Sequence, residues 1–253
     1  RERMEAFGFQ TLEVADGNDI GAIGEAIEAA KAEKTKPSFI IVKTLIGYGV
    51  PKKQGKASAH GEPLGAENVR EMKENLGFDP DQSFQVDPEV YENFQSITAE
   101  MGKKEEAWNR LFTEYGKAYP EKKALWERCH APVDASLLEG EDFWAWDDAP
   151  AATRNISGKI INRLKDKLPN LVGGSADLSP SNKTVMEGEG YMERGDFSGR
   201  NIHFGVRELS MAAETNGMLL HGGLRAYCAT FFVFSDYVKP MARLSALMQI
   251  PTT

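Results

Sequence analysis

Cysteine is scarce in this sequence, which holds only Cys129 and Cys228 among its 253 residues. Two thiols do not make a disulfide framework, and such scarcity is typical of proteins from a reducing compartment. Long apolar runs are missing as well, because none approaches the roughly 18 residues of a membrane-spanning helix, and no signal-peptide pattern is present. We therefore expect a cytoplasmic protein without a membrane span.

The sequence is also short of positive charge. It has 30 lysines and arginines against 38 aspartates and glutamates, which gives a formal net charge of −8. Proteins that bind nucleic acid in general carry an excess of positive charge to neutralise phosphates, so this balance argues against a nucleic-acid partner. The other proportions, 41% hydrophobic and 27% charged, are those of a globular protein with room for one large domain or two ordinary ones.

The first 45 residues have the pattern of a strand, a helix and a second strand. A short apolar alternation ends at residue 15, and a helix capped by Asp19 runs until shortly before Pro37. Residues 38–44 are a continuous run of strand-forming residues, which is typical of a strand buried on both faces. The pattern predicts a βαβ unit with a parallel sheet.

The middle of the chain has the periodicity of helices, and we expect a mostly helical linker over residues 66–150. Its last part, residues 130–150, is acidic and contains Trp144 and Trp146, which we interpret as two aromatic anchors. The change in composition places a domain boundary there. The predicted helices cover residues 67–76, 88–119 and 121–129.

The last hundred residues alternate again between helix and strand, which predicts a second α/β domain with a parallel sheet flanked by helices. The strand that starts at Leu171 ends in a polar loop, and a second short strand leads directly into a helix. The predicted elements are helices over residues 153–167 and 207–217, strands from residue 171, over 202–206 and over 224–230, and a helix after residues 231–234.

Polar and charged side chains follow these predicted strand ends. Asp177 and Ser181 come after one strand, and Glu208 opens the helix that follows the next. Ligands in α/β sheets lie at the carboxyl ends of strands, so these side chains predict one shared pocket. His60 lies in a glycine-rich loop after the last strand of the first α/β part, and it is a candidate for proton transfer.

Each candidate also has a simpler explanation when it is taken alone. Glu208 is compatible with a first-turn carboxylate that pairs with solvent or Arg207, and His60 with an exposed loop residue that has no task. Asp177 is compatible with a helix cap, and Arg154 with a solvated charge. Ser181 is compatible with an ordinary turn residue, and Phe231, Phe232 and Phe234 are compatible with ordinary core residues.

Four stretches of the sequence, in this order and at this spacing, resemble motifs of transketolases. The first matches the end of the family's diphosphate-binding domain, and the other three match its pyrimidine-binding domain. The resemblance covers essentially the whole chain. The stretches are KTLIGYG with SAHGEPLG (residues 43–49 and 58–65), GGSADLSPSN (residues 173–182), HFGVRE (residues 203–208) and ATFFVFSDY (residues 229–237).

The resemblance implies thiamine diphosphate as the cofactor of the parent enzyme, and it implies two catalytic residues, Glu208 and His60. Glu208 matches the glutamate that hydrogen-bonds the aminopyrimidine ring. A carboxyl group that shares a proton with this ring favours the imino form, whose nitrogen takes the proton of the thiazolium carbon, and the cofactor is then an electron sink. His60 matches a histidine near the reacting carbons, where it suits a proton shuttle for substrate hydroxyls.

The resemblance also implies the binding residues. Arg154 and Ser181 match groups that hold the sugar phosphate together with His60, and a guanidinium fork and a hydroxyl are chemically suited to this task. The residues that match the cofactor pocket are Phe231, Phe234 and Tyr237 around the pyrimidine, and Ile46, Asp177 and Leu178 beside the thiazolium and its partner across the interface.

The sequence departs from the family in one motif. The family uses Gly-Asp-Gly, with an asparagine about 30 residues later, to hold a divalent metal (Mg²⁺ or Ca²⁺) and the diphosphate, and neither Asp16-Gly17-Asn18 nor Gly195-Asp196-Phe197 matches it. We therefore expect no metal ligands in this chain, and we expect an internal fragment that is inactive by itself. The expected parts are the end of the diphosphate-binding domain (residues 1–65), a linker (66–150) and the start of the pyrimidine-binding domain (151–253).

The implied activity is transfer of a two-carbon ketol unit from a ketose phosphate to an aldose phosphate in the pentose phosphate pathway. In the family the cofactor lies between the first domain of one subunit and the second domain of the other. The resemblance therefore implies a homodimer in which His60 and Glu208 of one chain serve different sites. We also expect open sheet edges in an isolated fragment, which favour aggregation or low stability.

Two alternatives remain beside this interpretation. The first is another thiamine enzyme of the same architecture, such as a dihydroxyacetone synthase or a deoxyxylulose-phosphate synthase, although the His60 loop and the Ser181-Asn182 pair favour transketolase. The second is a non-catalytic split or regulatory subunit that pairs with a complete chain.

Overall fold

The computed structural model describes residues 1–146 and 149–252. The chain divides into two compact units, Arg1–Gly102 (unit 1) and Lys103–Thr253 (unit 2). Each unit contains a parallel sheet with helices packed against it. The predicted α/β class with two parallel sheets is therefore confirmed.

Unit 1 is built on the predicted βαβ unit. Its two strands pair in parallel, with Gln10 opposite Ser38 and Val14 opposite Val42. The connecting helix is capped as predicted, because the Asp19 carboxylate accepts a hydrogen bond of 2.9 Å from the Ala22 amide. The elements are α1 (Glu2–Ala6), β1 (Gln10–Val14), α2 (Ile20–Ala32), β2 (Ser38–Val42), a 3₁₀ turn (Ala57–Ala59), α3 (Ala66–Asn75) and the first part of α4 (Pro88–Ala118).

The expected burial of β2 on both faces is wrong. Phe39 and Val42 are each more than a third exposed, whereas Phe39's neighbours along the strand are half-buried. The reason is the size of the sheet: β2 pairs with β1 alone among the described residues, and α2 is the helix that packs on the pair. A continuous apolar run does not by itself show how many layers cover a strand.

Unit 2 contains a three-stranded parallel sheet in the order β4-β3-β5. The central strand is buried at all five positions and carries the motif Gly173-Gly174-Ser175 at its end. The elements are the rest of α4, α5 (Pro120–His130), α6 (Glu141–Trp144), α7 (Thr153–Lys165), β3 (Leu171–Ser175), α8 (Ser179–Asn182), β4 (Asn201–His203), α9 (Glu208–His221), β5 (Arg225–Ala229), α10 (Ser235–Leu247) and two 3₁₀ turns (Ala135–Leu138 and Phe232–Phe234).

The core of unit 2 lies on the two faces of this sheet. One cluster joins Leu171, Met186 and Tyr227 with the apolar face of α7, and the other joins Phe204 and Met211 with neighbouring side chains. Burial raises the pKa of the Tyr227 phenol, whose hydroxyl donates to the Thr184 carbonyl at 2.6 Å. The sheet is thus fixed by apolar contacts on both sides.

The predicted end of the helix at Gly217 is wrong. Helix α9 runs from Glu208 to His221, with Gly217 in its interior. The chain turns at Gly222 and Gly223, whose φ angles of +82° and +78° lie in the left-handed region that glycine adopts without strain. The second of the two glycine signals therefore ends the helix.

The expected anchors of the linker, Trp144 and Trp146, are also placed differently. Both indoles are more than a third exposed, whereas Phe143 of α6 is 5% exposed. Arg163 of α7 holds this stretch, since its guanidinium donates to the carbonyls of Phe143 and Ala145 and lies 4.3 Å from the centre of the Trp146 ring. The buried anchor is therefore the phenylalanine.

The sequence predicts neither a disulfide framework nor a membrane span. Cys129 and Cys228 are both free thiols, and burial raises the pKa of the Cys228 thiol. Within residues 1–146 and 149–252, no helix combines the length and the apolar character that crossing a bilayer requires.

A partly buried ion pair ties the end of α7 to the segment before β4. Arg200 donates from Nε to Glu189 Oε2 at 2.8 Å and from Nη1 to the Leu168 carbonyl at 2.9 Å, while Lys165 Nζ lies 3.4 Å from Glu189 Oε1. The hydrogen bond from Arg200 lowers the pKa of the Glu189 carboxyl. The charged form of Glu189 therefore contributes to stability.

We expect Glu189→Gln to destabilise unit 2 by about 1 kcal/mol at neutral pH. Because the folded-state pKa is lowered, the contribution is complete above the ordinary value of 4.5 and is lost as the pH falls through the lower folded-state value. Urea unfolding at pH 7 and pH 3, followed by tryptophan fluorescence, checks this. A difference between the two proteins that is as large at pH 3 as at pH 7 contradicts the prediction.

Candidate functional site

The three strands of unit 2 end at the same edge of the sheet. Ser175 of β3 lies opposite His203 of β4 and Ala229 of β5. The segments that leave these strands carry Asp177, Glu208 and Phe231 respectively. The strands that precede Asp177 and Glu208 therefore end at the same edge, and the third strand adds an aromatic segment there. The one shared pocket expected for these side chains stays a prediction.

Glu208 is the first residue of α9 and is half-buried. Arg207 precedes it and donates to the Phe204 carbonyl at 3.1 Å, and no ion pair joins the two residues in the described part of the chain. Glu208 therefore does not form the ion pair with Arg207 that its simpler explanation offered. The amino end of a helix stabilises a carboxylate, so α9 presents a negative charge at the sheet edge.

The aromatic segment after β5 is exposed rather than packed in the core. Phe232 is 91% exposed and Tyr237 60% exposed, while Phe231 is half-buried. The rings of Phe234 and Tyr237 stack with their centres 6.2 Å apart and their planes at 26°. The simpler explanation as ordinary core is wrong, and the segment offers flat apolar surface that a planar ring covers well.

The turn after β3 holds Asp177, Leu178 and Ser181, and all three are exposed. Asp177 and Leu178 have φ angles of +60° and +44°, and Lys183 at the end of the same turn has +59°. The left-handed conformation costs a residue other than Gly, Asn or Asp about 1–2 kcal/mol of stability, so the turn is strained at Leu178 and Lys183. The explanation of Asp177 as a helix cap is not supported, since no side-chain cap bond is made to α8.

Arg154 lies in the first turn of α7 and lines a cavity of about 1030 Å³ in unit 2. Phe231 lines the same cavity from the end of β5, and most of the other walls are apolar. Two buried hydroxyls of the lining, those of Thr184 and Thr230, have no hydrogen-bond partner. Of the predicted site residues of unit 2, the structure therefore brings Arg154 and Phe231 to one cavity and leaves the others outside its lining.

The remaining two site residues, Ile46 and His60, lie in unit 1 on the loop that follows β2, and both are exposed. The loop closes on itself, because the Gly55 amide donates to the Ile46 carbonyl at 2.8 Å. Lys53, which the sequence patterns did not single out, is partly buried and donates to the carbonyls of Ser58 and Pro63. Its ammonium group thus joins the segments on both sides of His60.

The groups at the sheet edge of unit 2 fit one part of the implied cofactor. A carboxylate at a helix start and a stacked, exposed ring pair suit an aminopyrimidine, which has a flat face and a hydrogen-bonding edge. A divalent metal that carries a diphosphate takes oxygen ligands, among which carboxylates are the charged ones. Across residues 1–146 and 149–252, no group of three or more His, Cys, Asp or Glu side chains is placed to hold a metal ion.

Two family models match the chain. The model for "Transketolase, thiamine diphosphate binding domain" matches residues 1–132, which is more than half of the chain. The chain belongs to the transketolase family. The model for "Transketolase, pyrimidine binding domain" matches residues 149–253, so both halves of the sequence support the same assignment.

Individual transketolases agree with this assignment along the chain. The transketolase of Halalkalibacterium halodurans is 46% identical over 253 residues, which is 99% of this chain and 37% of that protein. The crystal structure of a Campylobacter jejuni transketolase matches with a TM-score of 0.85 at 39% identity, over 99% of this chain and 37% of that one. A Pichia stipitis transketolase in complex with sedoheptulose-7-phosphate matches with a TM-score of 0.84 at 35% identity, over 99% and 38%.

The chain thus spans little more than a third of the length of the transketolases it matches. The two units of this structure correspond to parts of proteins that contain further sequence.

Proposed function

We propose that this chain supplies parts of a transketolase active site, which transfers a two-carbon ketol unit from a ketose phosphate to an aldose phosphate. The observation that carries the proposal is the edge of the unit 2 sheet, where the Glu208 carboxylate follows β4 and the exposed rings of Phe234 and Tyr237 follow β5, the two strands on either side of β3. When bound, thiamine diphosphate supplies the carbon nucleophile and the electron sink of this reaction.

Glu208 holds and returns the proton at the edge of the aminopyrimidine ring in this proposal. Its place at the start of α9 supports the role, because the first turn of the helix fixes the carboxyl group at the edge of the sheet. Phe231, Phe234 and Tyr237 bind the faces of the ring and exclude water around it. Asp177 and Leu178 of unit 2 contact the thiazolium part in one active site of the proposed homodimer, and Ile46 of unit 1 serves the other site.

His60, Arg154 and Ser181 bind the sugar phosphate. A guanidinium and a hydroxyl hold phosphate oxygens by charge-assisted hydrogen bonds, and an exposed imidazole moves a proton to or from a sugar hydroxyl. All three side chains are exposed, which leaves them accessible to a polar substrate. The complex of the Pichia stipitis transketolase with sedoheptulose-7-phosphate supports a sugar phosphate as the ligand class.

The complete enzyme is proposed to be a cytoplasmic homodimer of the pentose phosphate pathway, with the cofactor between two subunits. Large apolar side chains of α9 and α10 support a covering partner, since Leu209, Leu220 and Leu247 are each about half exposed or more. The Mg²⁺ or Ca²⁺ ion of the proposal has its ligands outside the described residues. The domain limits at residues 65 and 150 are part of the same proposal.

The test uses a full-length chimera in which this chain replaces the matching segment of a transketolase that it resembles. We expect ketol transfer between a ketose phosphate and an aldose phosphate, with a complete requirement for added thiamine diphosphate, measured by chromatography of the sugar products. A panel of other ketose donors and aldehyde acceptors separates transketolase from the related thiamine enzymes. A folded, dimeric chimera without transfer activity contradicts the proposal and favours a non-catalytic role for the chain.

A further inference from the structure

Two buried side chains converge on one backbone carbonyl at the base of the strained turn. Ser175 Oγ donates to the Asp177 carbonyl at 2.8 Å, and Asn182 Nδ2 donates to the same oxygen at 3.4 Å. Ser175 is 2% exposed and Asn182 is 9% exposed, whereas the Asp177 side chain is exposed. The buried donors therefore act on the backbone of a residue whose side chain is exposed to solvent.

The far end of the turn is fixed by independent contacts. The Tyr227 hydroxyl donates to the Thr184 carbonyl at 2.6 Å, and Asn162 Nδ2 donates to the Val185 carbonyl at 3.0 Å. Lys183 packs so closely on α7 that a Cβ atom at Gly158 would lie 2.6 Å from its carbonyl oxygen. The turn between Asp177 and Lys183 is thus held at both ends, which a strained backbone requires in order to persist.

We propose that Ser175 and Asn182 are positioning residues that hold Asp177 and Leu178 in the left-handed conformation before cofactor or substrate binds. The inference rests on the proposed function, in which the turn contacts the thiazolium and the sugar phosphate. Without the two donors the turn relaxes toward ordinary backbone conformations. Ligand binding then has to restore the left-handed conformation. The apparent affinity for the ligand becomes the intrinsic affinity multiplied by the fraction of molecules that still hold this conformation.

The shared acceptor predicts a specific pattern among variants. Either donor alone still holds the Asp177 carbonyl, so Ser175→Ala and Asn182→Ala each raise the apparent KM for thiamine diphosphate only about 3-fold. Removing both donors releases the carbonyl, and the double variant is expected to raise this KM about 50-fold, well above the product of the single effects. Asn182→Ala removes the donating nitrogen without placing a charge at this buried position.

The functional readout is the separation of KM from kcat in the full-length chimera. We expect a higher KM for thiamine diphosphate and for the sugar phosphates, with kcat at saturation within about two-fold of the unsubstituted protein. The matched control is Ser245→Ala, which removes another buried hydroxyl of unit 2, bonded to Asn216 Oδ1 at 2.6 Å and to the Met241 carbonyl at 2.9 Å. This control is expected to lower the melting temperature and leave both KM values unchanged.

A second readout needs no activity and uses the chain as it is. The amides of Ser181 and Asn182 both donate to the Leu178 carbonyl at 2.9 Å, so their hydrogen exchange reports the integrity of the turn. We expect the double variant to exchange these amides at least about 10-fold faster than the unsubstituted chain, and Ser245→Ala to leave them unchanged. Unchanged exchange in the double variant overturns the inference.

The two proposals fail in different ways. If the unsubstituted chimera lacks ketol transfer, the proposed function fails, and the exchange experiment still decides whether the two donors hold the turn. If the chimera is active but the Ser175 and Asn182 variants lose only melting temperature, in step with Ser245→Ala, the positioning role is wrong and the proposed function stands. Strict multiplication of the single KM effects also contradicts the shared-acceptor argument.

Discussion

Glu208→Gln is expected to lower kcat of the full-length chimera about 1000-fold. Glutamine keeps the shape of the side chain and its place at the start of α9, but it does not exchange a proton with the aminopyrimidine ring. General acid–base groups contribute about 10²- to 10⁴-fold to rate, and this exchange precedes every later step of the proposed reaction. Initial rates at saturating cofactor and sugars, in a coupled assay, measure the effect.

The matched control for this variant is Glu214→Gln on the same helix. Glu214 lies six residues along α9 and is exposed, so its replacement removes the same charge from the same element away from the sheet edge. We expect its kcat within about two-fold of the unsubstituted chimera. Equal losses in the two variants, or a Glu208→Gln enzyme that retains more than a tenth of its kcat, contradict the assigned role.

The secondary structure of this chain was largely predictable because its local signals agree with one another. Asp19 before an amphipathic run and Pro37 after it limit α2, and four of the five strands were predicted close to their observed limits. The fourth strand, β4, was predicted over residues 202–206 and ends already at His203. The errors arose where non-local packing decides. The burial of β2 depends on the layers around it, and the end of α9 depends on which of two glycine signals adopts the left-handed region.

The position of the site at the sheet edge was predictable from the sequence, whereas the backbone conformation of its turn was not. The order of strands and motifs places Asp177, Glu208 and Phe231 at one sheet edge, and the chain's pattern was sufficient to infer this. The left-handed backbone of Leu178 was not predictable, because a leucine has no local preference for positive φ. That conformation depends on Ser175 and Asn182, whose donors become neighbours only in the folded unit.

The pairing of β3 with its neighbouring strands explains why Gly174 is required at its position. Gly174 lies in β3 between β4 and β5, opposite Ile202 and Cys228. A Cβ atom at Gly174 would lie 2.0 Å from the Ile202 carbonyl oxygen, a distance that no side-chain rotation relieves because the neighbour is backbone. The close approach of β3 and β4 therefore requires glycine at this position.

We accordingly expect Gly174→Ala to destabilise unit 2 by about 3 kcal/mol or more, because β3 and β4 have to separate to admit the methyl group. This is a large fraction of the roughly 5–15 kcal/mol by which folded proteins are stable. Urea unfolding followed by tryptophan fluorescence measures the loss selectively, since all four tryptophans of the chain lie within residues 103–253.

Gly217→Ala is the matched control, and it is expected to act in the opposite direction. Gly217 lies inside α9, and an added Cβ meets no atom within 4 Å. Alanine is favoured over glycine in a helix interior by up to about 1 kcal/mol, so the unfolding midpoint rises. If Gly174→Ala unfolds at the same urea concentration as the unsubstituted chain, β3 and β4 tolerate a side chain between them, and the tight strand pairing that aligns Ser175 with His203 is not what fixes the sheet edge.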